Sequence, residues 1–133
     1  MTTKTMDSTI QRFNGIRWHD SKLLGLSFYR AGGEEQVKIS LHLLGEGDAF
    51  TPIDLVFRGS TYIQMEVDLA GKSVCADDIS GAMCYSSSEW IRTLSKRNPH
   101  DNFEGYLHFE IGLIPPGGTI HVLARDFVIR TAV

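Results

Sequence analysis

Apolar and polar residues alternate with a period of two along most of the chain. Between Gln36 and Leu44, Val37, Ile39, Leu41 and Leu43 fall on one side, while Gln36, Lys38, Ser40 and His42 fall on the other. A helix would scatter those four apolar side chains around its circumference, whereas a strand sets them all on one face. Leu24, Leu26 and Phe28 alternate in the same way before Ala31-Gly32-Gly33, which predicts a hairpin with residues 36–44. Ile53, Leu55 and Phe57 alternate before Gly59. Ile63, Met65, Val67 and Leu69 then alternate against Gln64, Glu66 and Asp68. Ala70-Gly71-Lys72 reads as a turn into a short strand at residues 73–76. Leu107, Phe109, Ile111 and Leu113 alternate with His108, Glu110 and Gly112, and Pro115-Pro116-Gly117-Gly118 closes that strand.

The last segment, residues 119–131, changes phase. Ile120, Val122 and Ala124 share one face, and Phe127 and Ile129 share the other. A β-bulge near Arg125-Asp126 would return both sets to one side of a single strand. One helix is marked over residues 86–97. Ser86 and Glu89 have capping-box spacing, and Tyr85 and Trp90 stand where a hydrophobic staple would. Trp90, Ile91 and Leu94 form its apolar stripe, and Asn98-Pro99 ends it. Residues 1–15 read as an N-terminal arm or as a short helix around residues 8–13 that ends at Asn14-Gly15. The expected fold is mainly β within an α+β class: about seven antiparallel strands in a sandwich, or a strongly curved sheet or partial barrel, with one covering helix.

Composition narrows this picture more than it changes it. The chain has 133 residues, 42% of them apolar and 22% charged. That matches one globular domain over residues 1–133, able to bury a core without metal or disulfide staples. A net charge of −3 offers no broad attraction for nucleic acid and favours a basic partner. The N-terminal residues lack the apolar segment of a secretory signal, and no run approaches the length needed to span a bilayer, so a cytoplasmic location is expected. Cys75 and Cys84 lack the spacing of a zinc or redox motif and read as free thiols.

Candidate chemistry gathers at a few places. Trp18-His19-Asp20-Ser21 precedes the first strand, and its His–Asp pair could hold a metal or orient a base. Neighbours on an extended chain point to opposite faces, so the pair converges only if the chain turns there. In the local alternative, Asp20 and Ser21 cap a turn and His19 packs beside it. His42, His108 and His121 lie in separate predicted strands and would meet on zinc only if those strands were neighbours; otherwise they are solvated. Glu66, Asp68, Asp77 and Asp78, with Asp54, make either an acidic patch for a basic partner or a solvated face. Their spacing does not match a calcium loop. The glycine pairs fit no phosphate-binding motif, and no nucleophile elbow is present. No catalytic residue, metal or cofactor is therefore assigned. His19, Asp20, Glu66, Asp68, Asp77 and Asp78 remain as candidates for binding a partner or ligand.

The order of Trp18-His19-Asp20-Ser21, Val56-Phe57-Arg58-Gly59, Val67-Asp68-Leu69 and Asp77-Asp78-Ile79 resembles families of small β-rich bacterial proteins of unknown function. Some of those are grouped with immunity proteins of polymorphic toxin systems. The resemblance covers residues 18–79 and implies a non-enzymatic protein that neutralises a toxin domain; it carries over no catalytic residues. The expected function is accordingly a non-catalytic protein-binding module, with a partner that is a protein and not nucleic acid or membrane. Two alternatives stand beside it. One is a small enzyme or ligand-binding domain with His19, Asp20 and strand-borne His or Asp residues in a pocket. The other is a homo-oligomeric structural module pairing through an exposed sheet edge or face.

Overall fold

The computed structural model describes residues 3–67, 78–115 and 117–131. Its elements in chain order are α1 (Thr3–Asn14), β1 (Lys22–Ala31), β2 (Glu34–Leu44), β3 (Phe50–Arg58), β4 (Tyr62–Val67), β5 (Ile79–Tyr85), α2 (Glu89–Arg97), β6 (Leu107–Leu113), β7 (Gly118–Ala124) and β8 (Asp126–Thr131). The strands make two four-stranded antiparallel sheets, in the orders β1-β2-β3-β8 and β4-β7-β6-β5. The arrangement is a sandwich and not a closed barrel.

Alternation in sequence becomes burial between the sheets. Val37, Ile39 and Leu41 of β2 pair with Phe57, Leu55 and Ile53 of β3, and all six are buried. The facing sheet contributes Phe109 and Ile111 of β6, paired with Val122 and Ile120 of β7. Phe13 from α1 closes one side of this core, with its ring 4.8 Å from Trp18 and 5.1 Å from both Phe109 and Phe127. The helix expected around residues 8–13 is present and begins earlier, at Thr3. On the edge of β5, the Asn14 side chain takes the place of a neighbouring strand. Its carbonyl accepts from the Cys84 amide at 2.7 Å, and its amide donates to the Cys84 carbonyl at 3.3 Å.

Three glycines are dictated by backbone geometry. Gly32 and Gly33, at φ 60° and 78°, form the two-residue turn between paired Ala31 and Glu34. Positive φ at both central positions matches the twist of the flanking strands. Gly118 lies so close to β4 that a Cβ there would sit 1.8 Å from the Glu66 carbonyl oxygen.

Three expectations are corrected, and one strand is found that alternation did not announce. Residues 119–131 are two strands and not one bulged strand: the chain crosses from one sheet to the other at Arg125, whose amide donates to the Arg58 carbonyl at 3.0 Å. The phase change therefore marks a change of sheet, with Ala124 and Phe127 entering the same core from opposite sides. Leu24 is exposed, because an irregularity between Leu23 and Gly25 turns it away from Leu26. The strand formed by β5 had no clear sequence signal, since Gly81, Ala82 and Met83 interrupt its alternation; the strand expected at residues 73–76 lies outside the described residues. Finally, α2 begins at Glu89 with Ser88 as its cap, whose hydroxyl accepts from the Ile91 amide at 3.1 Å. Tyr85 still belongs to β5, so Ser86 and Ser87 are used in turning the chain and no staple forms. Ser88→Ala is expected to cost about 1 kcal/mol, and Ser86→Ala almost nothing, as chemical denaturation would read. A larger loss at Ser86 would restore the earlier start.

Candidate functional site

The Trp18-His19-Asp20-Ser21 segment is a corner joining the two sheets. Asp20 has a positive φ of 67°, which supplies the turn that an extended chain lacks. That turn brings His19 Nε2 to 3.5 Å from Asp20 Oδ2, with the two side chains 63% and 48% exposed. His19 Nδ1 lies 3.1 Å from the Ser80 carbonyl, and the Asp20 amide donates to the Ile79 carbonyl at 2.9 Å. The buried Ser21 hydroxyl accepts from the Leu44 amide at 3.0 Å. These bonds reach across the fold and not around a local turn: they fasten the beginning of β1 to β5 and, through Ser21, to the end of β2. His42 stands on the outer face of the first sheet, opposite Lys22 and Pro52, and meets neither His108 nor His121.

His108 and His121 do meet. On the outer face of the second sheet, Glu110 of β6 lies directly opposite His121 of β7, and His108 precedes Glu110 by two residues. His108 Nε2 is 2.8 Å from His121 Nδ1, and His121 Nδ1 is 3.6 Å from a Glu110 carboxylate oxygen. His108 Nδ1 is 2.8 Å from the Ser88 hydroxyl. Trp90 from α2 lies over both imidazoles, with ring centres 4.6 Å from His108 and 5.3 Å from His121. Its indole N–H donates to Gln64 at 2.9 Å, which fixes the ring. His108 is consequently buried, not solvated, and burial together with neighbouring His121 pushes its pKa down to about 4. The imidazole is neutral near pH 7. The available sequence signal was His108-Phe109-Glu110, which places two ligand-type side chains on one strand face; that α2 would cover this face was not readable from spacing.

A groove runs beside this cluster, around edge strand β4. Tyr62 lines three adjoining hollows. One, of about 150 Å³, includes Phe28, Val37 and Ile63; another, of about 280 Å³, includes Asp101 and Phe103; the third, of about 400 Å³, includes Trp90 and Leu94. Phe28 is 60% exposed although it lies on the core side of β1, opposite Val37. Tyr62 stacks on Phe103 at 5.8 Å, and its hydroxyl donates to Asp101.

The expected acidic patch is divided differently. Asp78 is buried and paired with Lys22, so it does not present its charge to solvent, while Glu66 is exposed beside the groove on β4. Asp54 accepts from the Ser40 hydroxyl at 2.9 Å on the other sheet. Asp68, Asp77 and Cys75 lie outside the described residues. Cys84 is a buried thiol whose pKa burial raises to about 12. No helix among the described residues is long and apolar enough to cross a membrane. Comparison with known proteins finds no matching family model, no matching curated protein and no matching solved structure.

Proposed function

We propose that the chain is a protein-binding module of the toxin-neutralising kind, acting by association and not by turnover. The observation that carries this reading is the groove centred on Tyr62, where Phe28, Phe103 and Trp90 line adjoining open hollows. Aromatic side chains with partly wet surfaces are enriched where protein partners anchor, because they bury large area at low entropic cost. Strand β4 is also an edge of its sheet among the described residues, and such an edge can be extended by a partner's strand. The net charge of −3 and Glu66 beside the groove suit a basic partner. The competing enzyme reading asked for His19 and Asp20 in a shared pocket with strand-borne histidines, and the corner geometry gives it no support.

Paired affinity captures test this, with wild-type chain and Phe28→Asp as baits in lysate of the source cells. Phe28 is mostly exposed, so the substitution leaves folding intact. One stoichiometric partner held by the wild type and lost by Phe28→Asp is the expected result. A partner held equally by both, or none held by the wild type, would contradict the groove.

A further inference from the structure

We infer that His108 Nε2, His121 Nδ1 and a Glu110 carboxylate oxygen form a binding site for a zinc-like divalent transition-metal ion, independent of the partner groove. The three donor atoms lie within 4.8 Å of one another. Their convergence is a product of register: β6 places His108 and Glu110 on one face, and β7 places His121 opposite Glu110. Around tetrahedral zinc, with donors about 2.0–2.1 Å from the ion, neighbouring donors lie roughly 3.4 Å apart. The two nitrogens at 2.8 Å need only part slightly, and the Glu110 side chain, 37% exposed, is free to draw in.

The surroundings suit an ion as well as the donors do. A ligating imidazole ordinarily gives its other ring N–H to a fixed acceptor, which holds the ring and sets the tautomer. Ser88, itself fixed as the cap of α2, is that acceptor for His108 Nδ1. With two lone pairs and one hydrogen, its hydroxyl can take the Ile91 amide and also serve either His108 tautomer. When His108 carries its proton on Nε2 and donates it to His121 Nδ1, Ser88 donates to His108 Nδ1. When Nε2 binds an ion, His108 carries its proton on Nδ1 and Ser88 accepts it. The imidazoles thus exchange a shared hydrogen for a metal without changing their charge.

Donor chemistry selects the ion class. Two nitrogens and one carboxylate oxygen favour zinc or cobalt over calcium and magnesium, which prefer oxygen shells. Three protein donors leave at least one coordination position open. Beside His121 lies a hollow of about 290 Å³, lined also by Gln64, Glu66 and Thr119, large enough for water or a small anionic group.

The test is calorimetric titration of zinc into chelator-stripped full chain, with cobalt absorption spectra as a second reading. One equivalent is expected to bind, and cobalt is expected to give the intense visible bands of low-coordinate geometry. His121→Ala should weaken binding by more than about 100-fold, and Ser88→Ala by about 10–100-fold. Glu110→Gln, on a partly exposed side chain that leaves the fold intact, should weaken it by roughly 10-fold or more. His42→Ala should leave it unchanged. Absence of saturable binding in the micromolar range, or equal binding by the wild type and both His121→Ala and Glu110→Gln, would overturn the site.

Discussion

Phe109→Ala is expected to cost about 3–5 kcal/mol of stability. That is a large part of what holds a domain of this size folded. Phe109 is fully buried, and its ring lies 4.8 Å from Phe57, 5.1 Å from Phe13 and 5.9 Å from Phe127. These contacts join β6, β3, α1 and β8, so one truncation opens a cavity touching both sheets and the N-terminal helix. Elements anchored from three directions have little room to collapse into the space, which places the cost toward the upper part of the range. Phe109→Asp goes further: it buries a carboxylate with no partner, and the chain is expected to lose its cooperative transition altogether. Urea denaturation of the two variants reads both effects. A shift of less than about 1 kcal/mol for Phe109→Ala would mean that the sheets pack differently around it.

Asn14→Ala is expected to cost about 2 kcal/mol, more than most substitutions at a helix end. Its side-chain amide forms both hydrogen bonds that a neighbouring strand would have made to Cys84. Without it, the Cys84 amide and carbonyl stay partly buried beneath α1 and lose their partners. The edge of β5 is also uncovered, which favours pairing with a second chain. Asn14→Asp keeps the acceptor at 2.7 Å but turns a carboxylate oxygen, in place of the donor, toward the Cys84 carbonyl. A clear loss for both variants, read by thermal unfolding, supports the hydrogen-bond account. Equal and small losses for both variants would reduce Asn14 to an ordinary helix terminus.

The legible parts of this fold are those where one face of a strand meets the core and the other meets water. Residues 36–44 and 107–113 announced themselves by alternation, and the glycine pair at 32–33 announced its turn. Alternation records only that two faces differ, so it could not distinguish water from a covering helix. His108 read as solvated for that reason, although Trp90 and Ser88 from α2 enclose it. The same blindness merged β7 with β8: a phase change has one appearance whether a strand bulges or leaves its sheet. At residues 86–88 the capping-box spacing to Glu89 pointed to Ser86. Strand β5, running through Tyr85, decides for Ser88. The His–Asp pair at residues 19–20 was readable as a motif, and its role as a corner depended on Ser80 and Ile79, sixty residues away in sequence.

The central claim is that this chain works by holding a protein partner in the groove around Tyr62. Site-specific photocrosslinking in the source cells tests it most directly, with the crosslinking side chain at position 28 and, as control, at exposed Thr51 on β3. The account predicts one dominant crosslinked protein from position 28 and none in common with position 51. The same set of proteins from both positions, or no product from position 28, would contradict it.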